Sequence, residues 1–400
     1  MPDGEKSVTA KIVQRISAIA AAEWDACAGP DNPTVGHAFL NAMEESGSAT
    51  EKTGWLPHHV AIEDADGRLI GCAPCYVKSH SYGEYVFDWG WAEAFERAGG
   101  SYYPKLQVSV PFTPVTGPRL MVRPGADVDA VRGALLATLS EIAKELKLSS
   151  LHITFTPEDE YKMLGAAGLL QRTGQQFHWT NPGYQTFDDF LAALSSDKRK
   201  MVRKERKVAN AELVIETLTG EALTDKHMDA FFRFYLKTVD KKWAHAYLNR
   251  EFFRQIRAEM ADKIVLVMAF DNGQPAGGAL NILGTQTLYG RNWGAARHYD
   301  MLYFEACFYR AIEFAIAKGL KRVEAGAQGP HKIARGYLPS ATYSAHWVRD
   351  ANFRRAIEDF LRRERAKVAH EMEVLAERSP FRKSDQPPRD AGPNAKPDTE

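Results

Sequence analysis

The 400-residue sequence contains only four cysteines, Cys27, Cys72, Cys75 and Cys307. That is too few for a disulfide scaffold and excludes the small secreted domains held together by bridges. No stretch approaches about 18 uninterrupted apolar residues, so no membrane-crossing helix is expected. The opening MPDGEKSVTAK lacks the apolar core of a secretory leader. Formal net charge is zero, 51 basic residues against 51 acidic. No whole-molecule field therefore draws in nucleic acid or an anionic membrane, and any polyanion site must be a local patch. Also absent are a Walker A loop, a dinucleotide GxGxxG turn, a GxSxG elbow and an HExxH helix. The expectation is a reduced, soluble, cytoplasmic protein with no metal and no tightly bound cofactor.

What is present suits two domains: 44% of residues are hydrophobic and 26% charged, ordinary values for a globular chain of this length. The chain also echoes itself. VAIEDADGRLIGCAPCYV (Val60 to Val77) reads as strand, turn and strand, with the turn at Asp66-Gly67. VLVMAFDNGQPAGGALNIL (Val265 to Leu283) repeats that shape around Asn272-Gly273. Both turns use the Asn/Asp-Gly pair that supplies positive φ in a hairpin. Further on, each half has an amphipathic helix feeding a strand. The first starts near Val131 and runs into KLSSLHITF; the second starts near Phe304 and runs into GLKRVEAGA. His152 and Glu324 fall at matching points on the two exiting strands. The expected fold class is α/β, of the α+β kind, with two tandem units and mixed, largely antiparallel sheets.

The first unit is placed at residues 1–182, with an insertion at about 81–119, and the second at 183–378. Turn formers at Asn181-Pro182-Gly183 mark the link. Asn352 to Arg378 reads as one long charged C-terminal helix. Residues 379–400, rich in Pro, Asp and Lys, read as a disordered tail.

Three segments can carry chemistry. EAGAQGPHKIARGYLP (Glu324 to Pro339) leaves a strand, crosses three glycines and presents His331, Lys332 and Arg335 close together. Lys332 and Arg335, with Gln328, suit a carboxylate or phosphate. His331 suits proton transfer from an attacking amine. KRKMVRKERK (Lys198 to Lys207) is a helix with a basic face that includes Arg199, Lys200, Arg203, Lys204, Arg206 and Lys207. Met201, Val202 and Val208 form its other face. This helix fits a tRNA backbone, CoA phosphates or a lipid pyrophosphate, and a solvated face is the plainer alternative. The insertion holds Tyr82, Glu84, Tyr85, Asp88, Trp89 and Trp91, then Thr113 and Arg119. Tyr82, Trp89, Thr113 and Arg119 suit a pocket for an amine acceptor. Asp88 or Glu84 suits a base once burial raises its pKa. His178 lies on the strand before the link and is placed with the acceptor. Arg291 stands at a strand end and is placed with an anionic donor. His152, alternating with Leu151 and Ile153, reads as a hydrogen-bonded structural group. Cys72-Ala73-Pro74-Cys75 lies inside a strand, not at a helix N-terminus, so it is not read as a redox pair.

Four stretches give the chain a resemblance: NPTVGHAFLNAMEESGSA, DWGWAEAFERAGG, the helix leading into SSDKRKMVRKERK, and EAGAQGPHKIARGYLP. From about residue 12 to about residue 383 the chain resembles FemAB-like predicted N-acyltransferases of the GNAT superfamily. These are relatives of the Fem enzymes that move amino acids from aminoacyl-tRNA onto peptidoglycan precursors. The resemblance implies two tandem GNAT-like units and direct transfer of an acyl or aminoacyl group onto an amine in the cleft between them. The co-substrate it implies is an acyl-CoA, an aminoacyl-tRNA or another thioester, and the acceptor a small molecule or a peptidyl amine. The sequence departs from CoA-dependent GNAT enzymes at one point. Their Arg/Gln-x-x-Gly-x-Gly/Ala turn cradles a pyrophosphate at a helix start, and GRNWGAARHYDMLYFEACF has its glycines at other spacings. The alternative is a non-catalytic protein that recognises cell-wall fragments or nucleic acid through the basic helix.

Overall fold

The computed structural model describes residues 8–241, 246–326 and 329–382. The chain forms two compact units. The first comprises Met1–Gly174, Tyr247–Phe252 and Thr342–Glu364, and the second comprises Gln175–Ala246, Phe253–Ala341 and Arg365–Glu400. Each is a mixed α/β body, as expected.

The first unit opens with strand β1 (Thr9–Val13) and helices α1 (Ala21–Ala28) and α2 (His37–Glu45). Strands β2 (Trp55–Pro57), β3 (His59–Glu63), β4 (Leu69–Ala73) and β5 (Cys75–Lys78) follow, then helix α3 (Trp89–Arg97). Next come β6 (Lys105–Val108), β7 (Met121–Val122), helix α4 (Val128–Glu145), β8 (Ser150–Thr156) and helix α5 (Glu158–Ala166). Strand β9 (Leu170–Thr180) leads out of this unit. Four strands make one sheet in the order β1-β3-β4-β7, and a second run has the order β15-β8-β6-β5-β2. Here β15 is Leu338–Val348, whose residues from Thr342 onward belong to this unit. Pro74 separates β4 from β5, so one length of chain serves both sheets. Helix α4 starts on Asp127, whose side chain accepts from the Ala130 N–H. It buries Val131, Leu135, Leu139 and Ile142, a stripe at helical spacing. That stripe packs on Val60, Ile62, Leu106, Val108, Leu151 and Ile153. A side chain at Gly71 would meet Val131 at 2.3 Å, so only glycine lets the helix lie this close to β4.

The second unit contains helices α6 (Phe187–Ala193) and α7 (Ser196–Glu212), strand β10 (Val214–Leu218), and helices α8 (Asp225–Lys241) and α9 (Arg250–Met260). The first turn of α9 belongs to the first unit. Strands β11 (Ile264–Asp271), β12 (Gln274–Leu283) and β13 (Thr287–Ala295) come next. A helix then runs through α10 (Leu302–Phe304), a π-helical turn at Glu305–Tyr309 and α11 (Arg310–Ala317) into β14 (Arg322–Glu324). The strand order is β10-β11-β12-β13-β14-β9. The β11–β12 turn has positive φ at both Asn272 and Gly273, as the sequence pair demands. In the first-unit hairpin only Gly67 turns left-handed, and Asp64 secures the turn by accepting from the Asp66 and Arg68 N–H groups.

The repeated logic is visible in both units. In the first, the strand after the helix, β8, runs parallel to β6, with His152 opposite Gln107. In the second, β14 runs parallel to β13, with Glu324 opposite Tyr289. Helix α12 (Ala351–Ala376) closes the described chain as the expected long helix. The packed chain continues past Ser379, because Phe381 is buried and bridges to Leu194. The remainder of the expected tail, from residue 383, lies outside the described residues.

Candidate functional site

Strand alternation assembles an unusual surface in the first unit. Tyr76 of β5 lies opposite Gln107 of β6, and Lys78 opposite Lys105. Gln107 lies opposite His152 of β8. His152 lies opposite His346 of β15, and Thr154 pairs with Ser344. Because successive side chains point to opposite faces, these polar residues share one face. The intervening Leu106, Leu151 and Ile153 face α4. All of the polar residues are buried. A buried polar face opposes folding unless its groups are paired, so its presence points to chemistry.

The centre of this face is an ion cluster. The Lys105 ammonium donates to Glu84 Oε2 at 2.7 Å, Asp88 Oδ2 at 2.5 Å and Ser81 Oγ at 2.7 Å. Tyr102 also donates to Asp88 Oδ2 at 2.7 Å. Burial pushes the Glu84 carboxyl up to about 7 against the pull of Lys105. Burial acts on Asp88 too, yet Lys105 outweighs it and holds that carboxyl below the usual range. Lys105 stays charged because two acids offset its desolvation. Lys78, buried and 3.6 Å over the Trp55 ring, is pushed down by burial to about 7. Two adjacent carboxyl groups are thus driven apart, one held as the anion and one poised near neutrality. Among the described residues Glu84 Oε1 and Asp88 Oδ1 have no hydrogen-bond partner.

Of the acceptor residues read from sequence, Tyr82 lies on the loop that carries Glu84, and Trp89 opens α3 directly after Asp88. Their rings meet at 4.7 Å, and they remain 53% and 40% exposed. Thr113 is buried, and its hydroxyl donates to the Pro111 carbonyl. Arg119 is enclosed by its own loop and β8. It is fully buried, and its guanidinium donates to the carbonyls of Val115, Gly117, Pro118 and Thr154. It holds its own loop and offers no free fork. His178 is buried in the second unit, its Nε2 3.1 Å from Gln176 Oε1 and 3.9 Å from Glu324. Burial keeps it neutral, down to about 3.

The second unit gathers the residues assigned to the donor and turns two of them inward. Arg335 forms a bidentate pair with Glu205 of α7, at 2.6 and 3.0 Å, and its guanidinium lies 3.4 Å over Phe304. Tyr309 closes the group by donating to Glu205 at 2.5 Å. Lys332 is buried and donates to the Ala325 and Gly326 carbonyls. Burial lowers it to about 8. Arg335 ties the loop to α7, and Lys332 is held by carbonyls at the start of its own loop. R335A is expected to remove about 3 kcal/mol of stability, by leaving the Glu205 carboxylate buried and unpaired. Denaturant unfolding checks this, and an unchanged midpoint would refute the lock.

His331 is exposed against the rings of Tyr303, Phe304 and Phe308. Burial lowers its pKa, with Lys332 and Arg335 acting in the same direction. Arg291 sits at a bulge in β13, between Asn292 opposite Leu280 and Gly290 opposite Asn281. Gln328 lies outside the described residues.

Helix α7 does not present a single basic face. Arg199 donates to the Ala192 and Leu194 carbonyls, and Arg206 pairs with Glu305 and Glu313. Lys200, Arg203, Lys204 and Lys207 remain exposed at i, i+3, i+4 and i+7, a cationic stripe. Val208, expected on the apolar side, is 39% exposed. At the head of α10 lies a cavity of about 410 Å³, lined by Trp293, Arg297, Tyr299, Met301, Tyr303 and Phe304 among others. Among the described residues no group of three or more metal-ligating side chains gathers, and no helix is long and apolar enough to cross a membrane.

Sequence reading did not single out Lys105, Tyr102 or His346, and read His152 as a hydrogen-bonded group, which it is. A signal was available: KLQVS, SLHITFT and SATYSAH each alternate polar with apolar residues, although both faces are buried.

Comparison with known proteins places these observations. The FemAB-like family model, described as peptidoglycan biosynthesis/recognition, matches residues 15–383. The crystal structure of FemX superposes with a TM-score of 0.53 at 12% identity, covering 85% of this chain and 98% of that one. The C-terminal domain of an Agrobacterium fabrum protein assigned as a lysylphosphatidylglycerol synthetase superposes with a TM-score of 0.54 at 9% identity, covering 85% and 95%. At such identities the likeness is one of fold. No curated protein matches the chain.

Proposed function

The chain belongs to the FemAB-like family, and from that premise we propose that it is an acyltransferase that moves an acyl or aminoacyl group onto an amine. The observation that carries this reading is Glu84, a buried carboxyl poised at about 7 with one oxygen unpartnered among the described residues. A base with a pKa near the working pH is what deprotonation of an ammonium acceptor requires. Glu84 takes the acceptor's proton, and the freed nitrogen attacks the donor carbonyl. The bond to the leaving oxygen or sulfur then breaks, the leaving group takes the nitrogen's remaining surplus proton, and an amide is left. Lys105 fixes Glu84 and Asp88 in place, and Tyr82 and Trp89 offer aromatic faces to the incoming cation.

The donor is an aminoacyl-tRNA or an acyl-CoA. The exposed stripe of Lys200, Arg203, Lys204 and Lys207 supports a donor with phosphates, since four cations lie along about 10 Å of helix. Incubating the protein with each radiolabelled donor and a peptidoglycan-precursor amine tests the reading. Transfer from one donor supports it, and tight binding of the amine without turnover favours recognition alone. Reversing the four stripe charges together is expected to raise the donor KM at least tenfold with kcat little changed. A KM identical to wild type would remove the stripe from donor binding.

A further inference from the structure

The acceptor's proton needs somewhere to go. Amide formation from an ammonium and an ester or thioester releases one proton per turnover, after the leaving group has taken its own. Glu84 must therefore be discharged before it can act again.

Behind the ion cluster stand two imidazoles that the reaction scheme does not otherwise use. His152 Nε2 lies 2.7 Å from Ser150 Oγ, 3.4 Å from the Tyr102 hydroxyl and 4.0 Å from Asp88 Oδ2. Its Nδ1 lies 2.6 Å from Nδ1 of His346, whose Nε2 is 3.0 Å from Ser344 Oγ. Both rings are buried, and the Trp91 ring lies within 5.0 Å of His346 and 6.2 Å of His152. Burial, together with Lys105 and Arg172, keeps both rings neutral at rest, His152 falling to about 3. Asp88 is the one group opposing that trend.

A neutral imidazole has one N–H and one bare nitrogen. Two Nδ1 atoms in contact must therefore share a single proton. If His152 holds it, His152 Nε2 is bare and accepts from Tyr102 or Ser150. A proton arriving at Nε2 drives the shared proton across to His346, whose Nε2–H then passes to Ser344 as Ser344 releases its own hydroxyl proton to solvent. The proton reaches Nε2 from Glu84 along contacts already present: Lys105 takes it as it hands one to Asp88, Asp88 passes one to the Tyr102 oxygen, and Tyr102 gives its own hydroxyl proton to His152.

We infer that His152 and His346 form a proton relay that drains the Glu84–Asp88–Lys105 cluster. The inference rests on Glu84 as the base of the proposed transfer. His346 touches no reacting atom and is a positioning residue that acts through His152.

Three variants and one spectrum test it. H346A is expected to lower transfer at least tenfold at pH 7, and added imidazole to restore much of it by filling the vacated space. H346N reaches the same position and keeps a hydrogen bond, but it cannot pass a proton, so transfer stays low although the fold is as stable as wild type. H152N behaves as H346N does. Wild-type transfer in H346N, or an H346A defect that imidazole leaves untouched, overturns the relay. Imidazole ¹⁵N–¹H spectra supply a readout that needs no activity. Two neutral rings sharing one downfield bridging N–H are expected at pH 6, with that signal absent in both His346 variants. A charged ring, or no bridging signal in wild type, overturns the relay whether or not transfer is seen. The expected spectrum with no transfer to any amine would instead fault Glu84 as the base.

Discussion

E84Q is expected to lower transfer about 100-fold or more at pH 7, the usual contribution of a positioned base. The substitution keeps the shape of the side chain and an oxygen that can accept from Lys105. It removes only the ability to take a proton. In wild type the rate should rise with pH through about 7, because the base works deprotonated. In E84Q that rise should vanish, leaving a flat profile. A variant with wild-type turnover, or with the same inflection, would remove Glu84 from the chemistry. Stability gives an independent check. The folded pKa of Glu84 lies above its ordinary 4.5, so the folded state favours the protonated acid. That contribution is complete below 4.5 and is lost as pH rises through about 7, an upper limit of about 3 kcal/mol. E84Q lacks this loss, so its stability relative to wild type should improve between pH 4.5 and pH 7.

K105M should be the most destabilising single change in the first unit. It leaves Glu84 and Asp88 buried without their shared cation, and breaking such a group costs about 3–5 kcal/mol. Both carboxyl groups would then fold with raised pKa values and gain protons on folding. By linkage the deficit is largest at pH 8 and shrinks as pH falls toward the ordinary 3.8 and 4.5 of the two acids. Urea unfolding at pH 5 and pH 8 separates the cases. An equal deficit at both values would show that lost packing, not charge, dominates.

The two hairpins, the helices feeding β8 and β14 and the long C-terminal helix are legible because each follows from local pattern. Asn272-Gly273 forces its turn, and Val131, Leu135 and Leu139 define a helix face whatever surrounds them. The Glu84–Asp88 pair is legible as acids among aromatics. Lys105 is not, because its significance comes from register: it lies opposite Lys78 and within reach of acids contributed by a loop. His346 is further hidden by 194 positions of separation from His152. Lys332 and Arg335 show the opposite case. Sequence shows that they are cations near glycines, but not that Glu205 and two main-chain carbonyls already hold them. Partnership across sequence distance, not residue type, separates a free cation from a fastened one.

The first unit is assembled from three separate lengths of chain, the last of them Thr342–Glu364. A ribosome must therefore pass Tyr343 before β8, at Ser150–Thr156, can receive the neighbour that pairs with it from Tyr343 to Val348. Until then, nascent β8 has one open edge, and His152 stands beside no second imidazole. Cutting the gene at the apparent link would not release a working half: a fragment ending at Pro182 lacks that strand and should aggregate through the unpaired edge. The two halves repeat each other in pattern, but the first cannot be finished until Thr342–Glu364 has followed the whole strand system of the second.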